Sequence, residues 1–332
     1  MTEMNKKNYK YSRQYYDGKQ TAIDFEAKEA LTSPQEYEEE PPREEDDSTP
    51  VKKVDWNMRF VSFGSGSSGN CSYLGNENSG VLIDAGIDPE HVFKDLLHNG
   101  VTPEMIKGIV LTHDHADHIR YVYNIVRRYK HIHIYCTPRL MNGLLRHHNI
   151  SSRVKEYQES VFKEIPFHIA GMTFTAFEVS HDGTDNMGFY IECNGSSFVV
   201  ATDMGVITDR AAYYMKLADY LMIESNYDRE MLDNGHYSEM LKSRVRSEKG
   251  HLDNVVAAQF VADNYRPDLK YVFLCHLSND NNTPAIACKT MGDALKAKGL
   301  TVGDASNAVG QRGSDVQVYA LPRYDTSQWF VL

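Results

Sequence analysis

The chain has 332 residues, 41% of them hydrophobic and 24% charged, with a formal net charge of -11. This composition can bury a substantial core, and it excludes a collagenous, low-complexity or wholly disordered chain. It also argues against a protein that coats nucleic acid through bulk positive charge, although a local basic groove stays open.

No apolar run reaches the roughly 20 residues of a membrane helix, and the opening MTEMNKKNYKYSRQYY has no apolar secretion segment. A soluble, cytoplasmic protein with no membrane partner is expected. The five cysteines, Cys71, Cys136, Cys193, Cys275 and Cys288, are scattered without a CxxC, so they read as reduced thiols and not as a disulfide framework or a zinc knuckle.

Residues 1–56 include the acidic, proline-containing run from Glu36 to Pro50 and lack the apolar periodicity to fold alone. They are expected to form a disordered arm, with tyrosines that could dock on the body or on a protein partner. An acidic arm could also act as a DNA mimic and cover a basic groove. Residues 57–332 form the expected domain.

From Asn57 onward, short β-like runs at Arg59–Phe63, Cys71–Leu74 and Val81–Asp84 alternate with Gly/Ser/Asn turns, predicting an opening antiparallel meander. Ile109–Thr112 predicts another strand, and Ile119, Val122, Val126 and Tyr129 then fall at helical spacing. Further strands are predicted at Thr173–Val179, Gly188–Cys193, Ser197–Ala201, Tyr220–Ile223, Tyr271–Leu274 and Val316–Ala320. Helices are predicted at Tyr237–Val245, Asn254–Asn264 and Ala285–Lys298. There is no internal repeat, and the mixture suggests two sheets between helices.

The segment Thr112-His113-Asp114-His115-Ala116-Asp117-His118 places three histidines and two carboxylates on a strand-to-helix loop. As core residues each would need its own buried partner, which metal binding supplies. His113 and His115 can point the same way in an extended loop, while Asp117 and His118 turn toward a second point. That arrangement suits two metals. His181, Asp203 and His276 each follow an apolar strand.

HxHxDH after an apolar strand resembles the signature of the metallo-β-lactamase fold. The resemblance implies an α/β chain, an αββα sandwich of two mixed β-sheets flanked by helices. By the same resemblance, His113, His115 and His181 hold one metal, Asp117, His118 and His276 hold the other, and Asp203 bridges them. The imidazole and carboxylate donors suit two divalent ions, zinc or manganese. Asp84, in Val81-Leu82-Ile83-Asp84-Ala85-Gly86, matches the first motif of the fold and would orient a ligand; the alternative is a cap before Pro89. Periplasmic β-lactamases of this fold usually place a cysteine where Asp203 stands, and the 73 positions from Asp203 to His276 are too few for the cap of the β-CASP nucleases.

A narrower resemblance covers residues 58–330. Ser65-Gly66-Ser67-Ser68-Gly69-Asn70-Cys71, the HxHxDH segment, Glu224-Ser225-Asn226-Tyr227-Asp228, Gly250-His251-Leu252-Asp253-Asn254 and His276 to Pro284 together are similar to the WalJ (YycJ) group of bacterial DNA exonucleases. Tyr227 and Asp253 depart from that pattern, standing where His and Ser are expected.

This resemblance implies a 5′-to-3′ DNA exonuclease in DNA repair or genome maintenance, with DNA as substrate and a metal-bridging hydroxide as nucleophile. The catalytic groups would be Asp117, His251 as proton donor to the leaving oxygen, and Glu224 as its orienting partner. That pair follows the tRNA 3′-end-processing nucleases, and its alternative is a helix cap at His251 with a surface pair at Glu224. Ser67, Ser68 and Asn70 lie in a loop that is either a plain hairpin connection or a phosphate nest. Arg244 and Arg246 belong to a basic stretch that is either a solvated face or a DNA track. Two other functions stay open at this stage: a glyoxalase II-like thioester hydrolase, and a non-catalytic regulatory protein on the same scaffold.

Overall fold

The computed structural model describes residues 58–305 and 313–332. The arm expected over residues 1–56 lies outside them. Strands β1 (Arg59–Gly64), β2 (Cys71–Gly75) and β3 (Gly80–Ile83) form the antiparallel meander. Strands β4 (Ile106–Val110), β5 (His133–Cys136) and β6 (Gln158–Ser160) then add in parallel. The crossovers carry helices α1 (Pro89–His98), α2 (Ala116–Ile119), α3 (Val122–Arg128) and α4 (Pro138–His147), as parallel pairing requires.

The second sheet opens with β7 (Phe167–Ile169), β8 (Met172–Glu178), β9 (Met187–Cys193) and β10 (Ser196–Ala201), all antiparallel. Strands β11 (Tyr220–Glu224), β12 (Tyr271–Cys275), β13 (Val302–Gly303) and β14 (Val316–Ala320) extend it in parallel. Helices α5 (Asp209–Met215), α6 (Arg229–Asn234), α7 (Glu239–Val245), α8 (Asn254–Asp263) and α9 (Pro284–Ala297) lie along this half. Finally β15 (Phe330–Val331) returns to pair with β1. Both sheets are mixed and flanked by helices. No helix among the described residues is long and apolar enough to cross a membrane.

Strand periodicity divides the core. Phe198 and Val200 pack with Phe60, Phe174 and Phe273 between the sheets, while the alternating Val199 and Ala201 pack with Ala258 of α8 and Met291 of α9. A continuous apolar run therefore serves two cores, which is why β10 to β12 read as uninterrupted hydrophobic segments.

The chain departs from the predicted elements in three places. Helices α1, α4, α5 and α6 and strands β5 to β7, β13 and β15 were not expected; α1, α4 and α5 are stabilised by Asp88, Thr137 and Thr208 accepting from the first-turn N–H groups of Glu90, Leu140 and Ala211. The helix at Tyr237 begins later, at Glu239, because Ser238 is its cap. The helix after HxHxDH breaks between Ile119 and Val122. The Asp117 carbonyl, which would accept from Tyr121 in an unbroken helix, instead accepts from Asn70 N at 2.8 Å, and Tyr121 N donates to the Ala85 carbonyl at 2.9 Å.

Candidate metal centre

The clustered side chains come from the loops that leave parallel strands at their C-terminal ends. Asp84 follows β3, His113 to His118 follow β4, Asp203 follows β10, Glu224 ends β11 and His276 follows β12. Asp84, Asp203 and His276 all have left-handed backbones, with φ of 61°, 50° and 53°. Such conformations cost about 1–3 kcal/mol at non-glycine residues and persist only where the surroundings impose them. Here the turn out of each strand aims the side chain inward over the sheet edge.

Gly86 makes the close approach possible. A Cβ there would lie 1.6 Å from the Asp117 carbonyl oxygen and 2.7 Å from Asn70 N, so any side chain would separate the β3 loop from the histidine segment.

The imidazoles are oriented by groups that fix which nitrogen is free. His118 Nδ1 donates to Asp84 Oδ2 at 2.7 Å, leaving Nε2 facing Asp203 Oδ2 at 3.4 Å and Asp117 Oδ2 at 3.6 Å. His181 Nδ1 donates to the Gly250 carbonyl at 2.9 Å, leaving Nε2 at 3.3 Å from His115 Nδ1. His276 Nδ1 lies 3.1 Å from Glu224 Oε1, and its Nε2 lies 3.6 Å from Asp117 Oδ2. A carboxylate or carbonyl behind an imidazole is the usual support of a metal-binding histidine.

Four sets of side chains converge within 4.8 Å. His113, His115 and His181 make one set; Asp117, His118 and His276 make another; His113, His118 and Asp203 make a third. In the fourth, Asp203 and His276 meet Glu224 and His251, but the Glu224 oxygens already accept from Met204 N at 2.7 Å, Leu252 N at 3.2 Å and His251 Nδ1 at 2.7 Å. Glu224 is thus a satisfied acceptor rather than a free donor.

The donor set fits divalent metal by a direct observation. His113 Nε2 and His276 Nε2 are buried without a hydrogen-bond partner among the described residues, a state that costs about 1–3 kcal/mol per group unless something binds there. The electrostatics agree. Burial opposes charge on His118, yet Asp84, Asp203 and Asp117 outweigh it and push the imidazole up to about 9. Burial likewise opposes charge on Asp203, but His276 and His118 hold the carboxyl well below its usual range.

Asp84 accepts from Thr112 N at 2.9 Å and Thr112 Oγ1 at 2.8 Å as well as from His118. The helix after it is capped by Asp88, not by Asp84. Asp84→Asn keeps the left-handed backbone, which Asn tolerates, but turns an amide N–H toward a donor. Metal affinity is expected to fall roughly 10–100-fold, read by competition against a chromophoric chelator; unchanged affinity would show that Asp84 has no orienting role.

His251 lies at the rim, with its side chain 24% exposed, its ring 5.1 Å from that of His276 and 5.2 Å from that of His181. The helix-cap alternative does not hold, because Asp253 caps α8 and Glu224 is fully buried. The Gly64–Asn70 loop does connect β1 to β2, and it also reaches the centre. Asn70 Nδ2 lies 3.1 Å from Asp117 Oδ2 and 2.9 Å from His118 Nε2; Ser67 is exposed and Ser68 Oγ is buried without a partner.

The two arginines of the basic stretch are not brought together. Arg244 pairs with Asp182 at 2.7 Å, and Asp182 itself lies 3.2 Å from His115 Nε2. Arg246 pairs with Asp233 at the end of α6. Thr112, Asp182 and Asn226, which donates to the His276 carbonyl at 2.7 Å, were not assigned roles from sequence. Thr112 and Asp182 adjoin His113 and His181 in the chain, and that adjacency was the available signal.

Residues 80–273 match the β-lactamase superfamily domain. The chain is 31% identical over 252 residues to the exodeoxyribonuclease YycJ of Bacillus anthracis, covering 75% of this chain and 93% of that protein. It is 31% identical over 247 residues to the exodeoxyribonuclease WalJ of Streptococcus pneumoniae, covering 74% of this chain and 91% of that one. Among solved structures, the metallo-β-lactamase fold protein YhfI of Bacillus subtilis aligns with a TM-score of 0.58 at 14% identity, over 82% of this chain and 99% of its own. With the clustered histidines and carboxylates at its strand ends, the chain belongs to the metal-dependent hydrolases of the β-lactamase superfamily, in the group of WalJ and YycJ.

Proposed function

We propose that this protein is a two-metal DNA exonuclease that degrades DNA from a 5′ end and serves DNA repair or genome maintenance. Its relatives named as exodeoxyribonucleases support the substrate class; the direction and the cellular role rest on the resemblance to the WalJ group.

His113, His115 and His181 would hold one ion, Asp117, His118 and His276 the second, with Asp203 able to reach both. Its Oδ1 lies 3.8 Å from His181 Nε2, and its Oδ2 lies 3.4 Å from His118 Nε2. When bound, zinc or manganese would supply positive charge for the phosphodiester and lower the pKa of water at the centre.

The observation that carries the reading is the His251–Glu224 pair. Thiolates leave readily as anions, whereas the alkoxide released from a phosphodiester needs a proton. Glu224, buried and held ionised by His251 and His276 against the cost of its burial, accepts His251 Nδ1–H and directs Nε2 outward. Nε2–H then delivers its proton to the leaving oxygen, and the exposed edge of the ring recovers one from solvent. A thioester hydrolase would not need this pair.

The test is digestion of linear duplex DNA labelled at the 5′ or the 3′ end, with zinc, with manganese, or after chelation. Early release of the 5′ label with either ion and none after chelation is the expected result. Early loss of the 3′ label would overturn the direction, and intact DNA with cleavage of a thioester would overturn the nuclease reading.

A further inference from the structure

The charges of the two sequence-assigned arginines are already met by Asp182 and Asp233. Two other arginines lie against the Gly64–Asn70 loop without a carboxylate partner among the described residues. Arg323 arrives from the C-terminal segment after β14. Its Nη1 donates to the Leu277 carbonyl at 2.8 Å, and its side chain lies across Gly66, with Nη1 2.9 Å and Cγ 3.1 Å from where a Cβ would be. Its Nε is buried and has no partner. Arg120, from the break between α2 and α3, donates from Nη1 to the Ser68 carbonyl at 3.0 Å.

The loop between them is part of the centre. Gly66 N donates to Asn70 Oδ1 at 2.8 Å, and the Asn70 amide reaches Asp117 and His118. At the loop's other end, Ser65 Oγ accepts from His276 N at 2.9 Å. Beside Arg323, the Tyr324 ring is 64% exposed, with the guanidinium 5.3 Å from its centroid and its hydroxyl 3.3 Å from Asn279 Oδ1.

An exposed aromatic ring, a guanidinium with spare donors and a glycine-rich loop are the parts from which single-strand nucleic acid sites are built. Asp280, the nearby carboxylate of the His276 loop, is taken up by Tyr237 Oη at 3.2 Å and His236 Nε2 at 3.9 Å. It forms no ion pair with Arg323 among the described residues.

We propose that Arg323, Arg120 and Tyr324 form the subsite for the part of the strand next to the scissile bond. The two guanidiniums take non-scissile phosphates on either side of the Gly64–Asn70 loop, and the Tyr324 ring stacks on a base. The inference rests on the nuclease reading above. It assigns these residues to positioning and not to the chemical step.

The test uses the metal-loaded full chain with end-labelled duplex DNA between 50 and 200 mM salt, approximately the range over which phosphate contacts show themselves, and bis(p-nitrophenyl) phosphate as a diester too small to reach the subsite. Arg323→Ala and Arg120→Ala are each expected to raise KM for DNA about tenfold and to flatten the salt dependence of kcat/KM by about one unit of log–log slope. Turnover of the small diester should stay within twofold. Because Arg323 packs on Gly66, Tyr324→Ala at the exposed ring is the second variant, with an expected severalfold rise in KM. Unchanged KM and salt slope in variants of a chain that degrades DNA would overturn this inference alone, as would equal losses on both substrates. Inactivity of the unaltered chain on DNA would overturn the nuclease reading with it.

Discussion

Asp203→Asn is expected to cut DNA degradation by on the order of 10³-fold, about 4 kcal/mol of transition-state stabilisation, while the chain stays folded. Asp203 is 2% exposed, and its two oxygens face His118, His181 and His276 within 3.8 Å. Asn keeps the shape and accepts the left-handed backbone at this position, so the change removes charge and little else. The amide would face imidazoles that, in a loaded centre, also present their lone pairs to metal. Metal content by elemental analysis should fall in parallel with activity, with circular dichroism unchanged. Full metal content with full activity would show that Asp203 is not shared between two ions.

The second large effect is expected at the rim. His251→Ala should lower kcat on DNA by about 10²–10³-fold, within the range for removal of a positioned general acid, with metal content unchanged. Its distinguishing feature is the dependence on the leaving group. On bis(p-nitrophenyl) phosphate, whose phenolate departs without a proton, the loss should stay below about tenfold. Equal losses on the two substrates would assign His251 to metal binding or to structure, and no loss on either would remove the proton-donor role. The fourth convergent set, in which His251 joins Asp203, Glu224 and His276, is what makes this control necessary.

HxHxDH was legible because its chemistry is local. Five ionisable side chains crowd into six residues, and no apolar core supplies partners for them. The strands that carry Asp203 and His276 were equally legible, since β10 and β12 are buried on both faces and read as continuous apolar runs. Alone, the polar residue at each exit would read as an ordinary core residue; its order after HxHxDH and the resemblance to the metallo-β-lactamase signature made it a candidate. Asp84 differed only in being attached to a short, four-residue strand.

Where partners come from afar, the same reading fails. The helix after the histidine segment has an unbroken apolar period, yet it breaks because Asn70 and Ala85 capture the backbone groups that would continue it. Arg244 and Arg246 form a basic stretch in the chain, but Asp182 and Asp233 arrive from other segments and balance them. Arg323 reaches the Gly64–Asn70 loop across more than 250 positions, and no local pattern announces it.

The sequence by itself determined the pattern of two sheets between helices, the strand-end placement of the histidines and carboxylates, and the fitness of the HxHxDH segment for metal, because periodicity and the cost of burying polar groups act within a few residues; the named fold and the ligand assignment came through the resemblance of that segment to the metallo-β-lactamase signature. The tertiary structure alone decided which imidazole nitrogen is free, which strand exits turn left-handed, and which arginines lack a carboxylate partner among the described residues. Those properties depend on hydrogen bonds and ion pairs between distant segments, and only folding brings such groups within reach of one another.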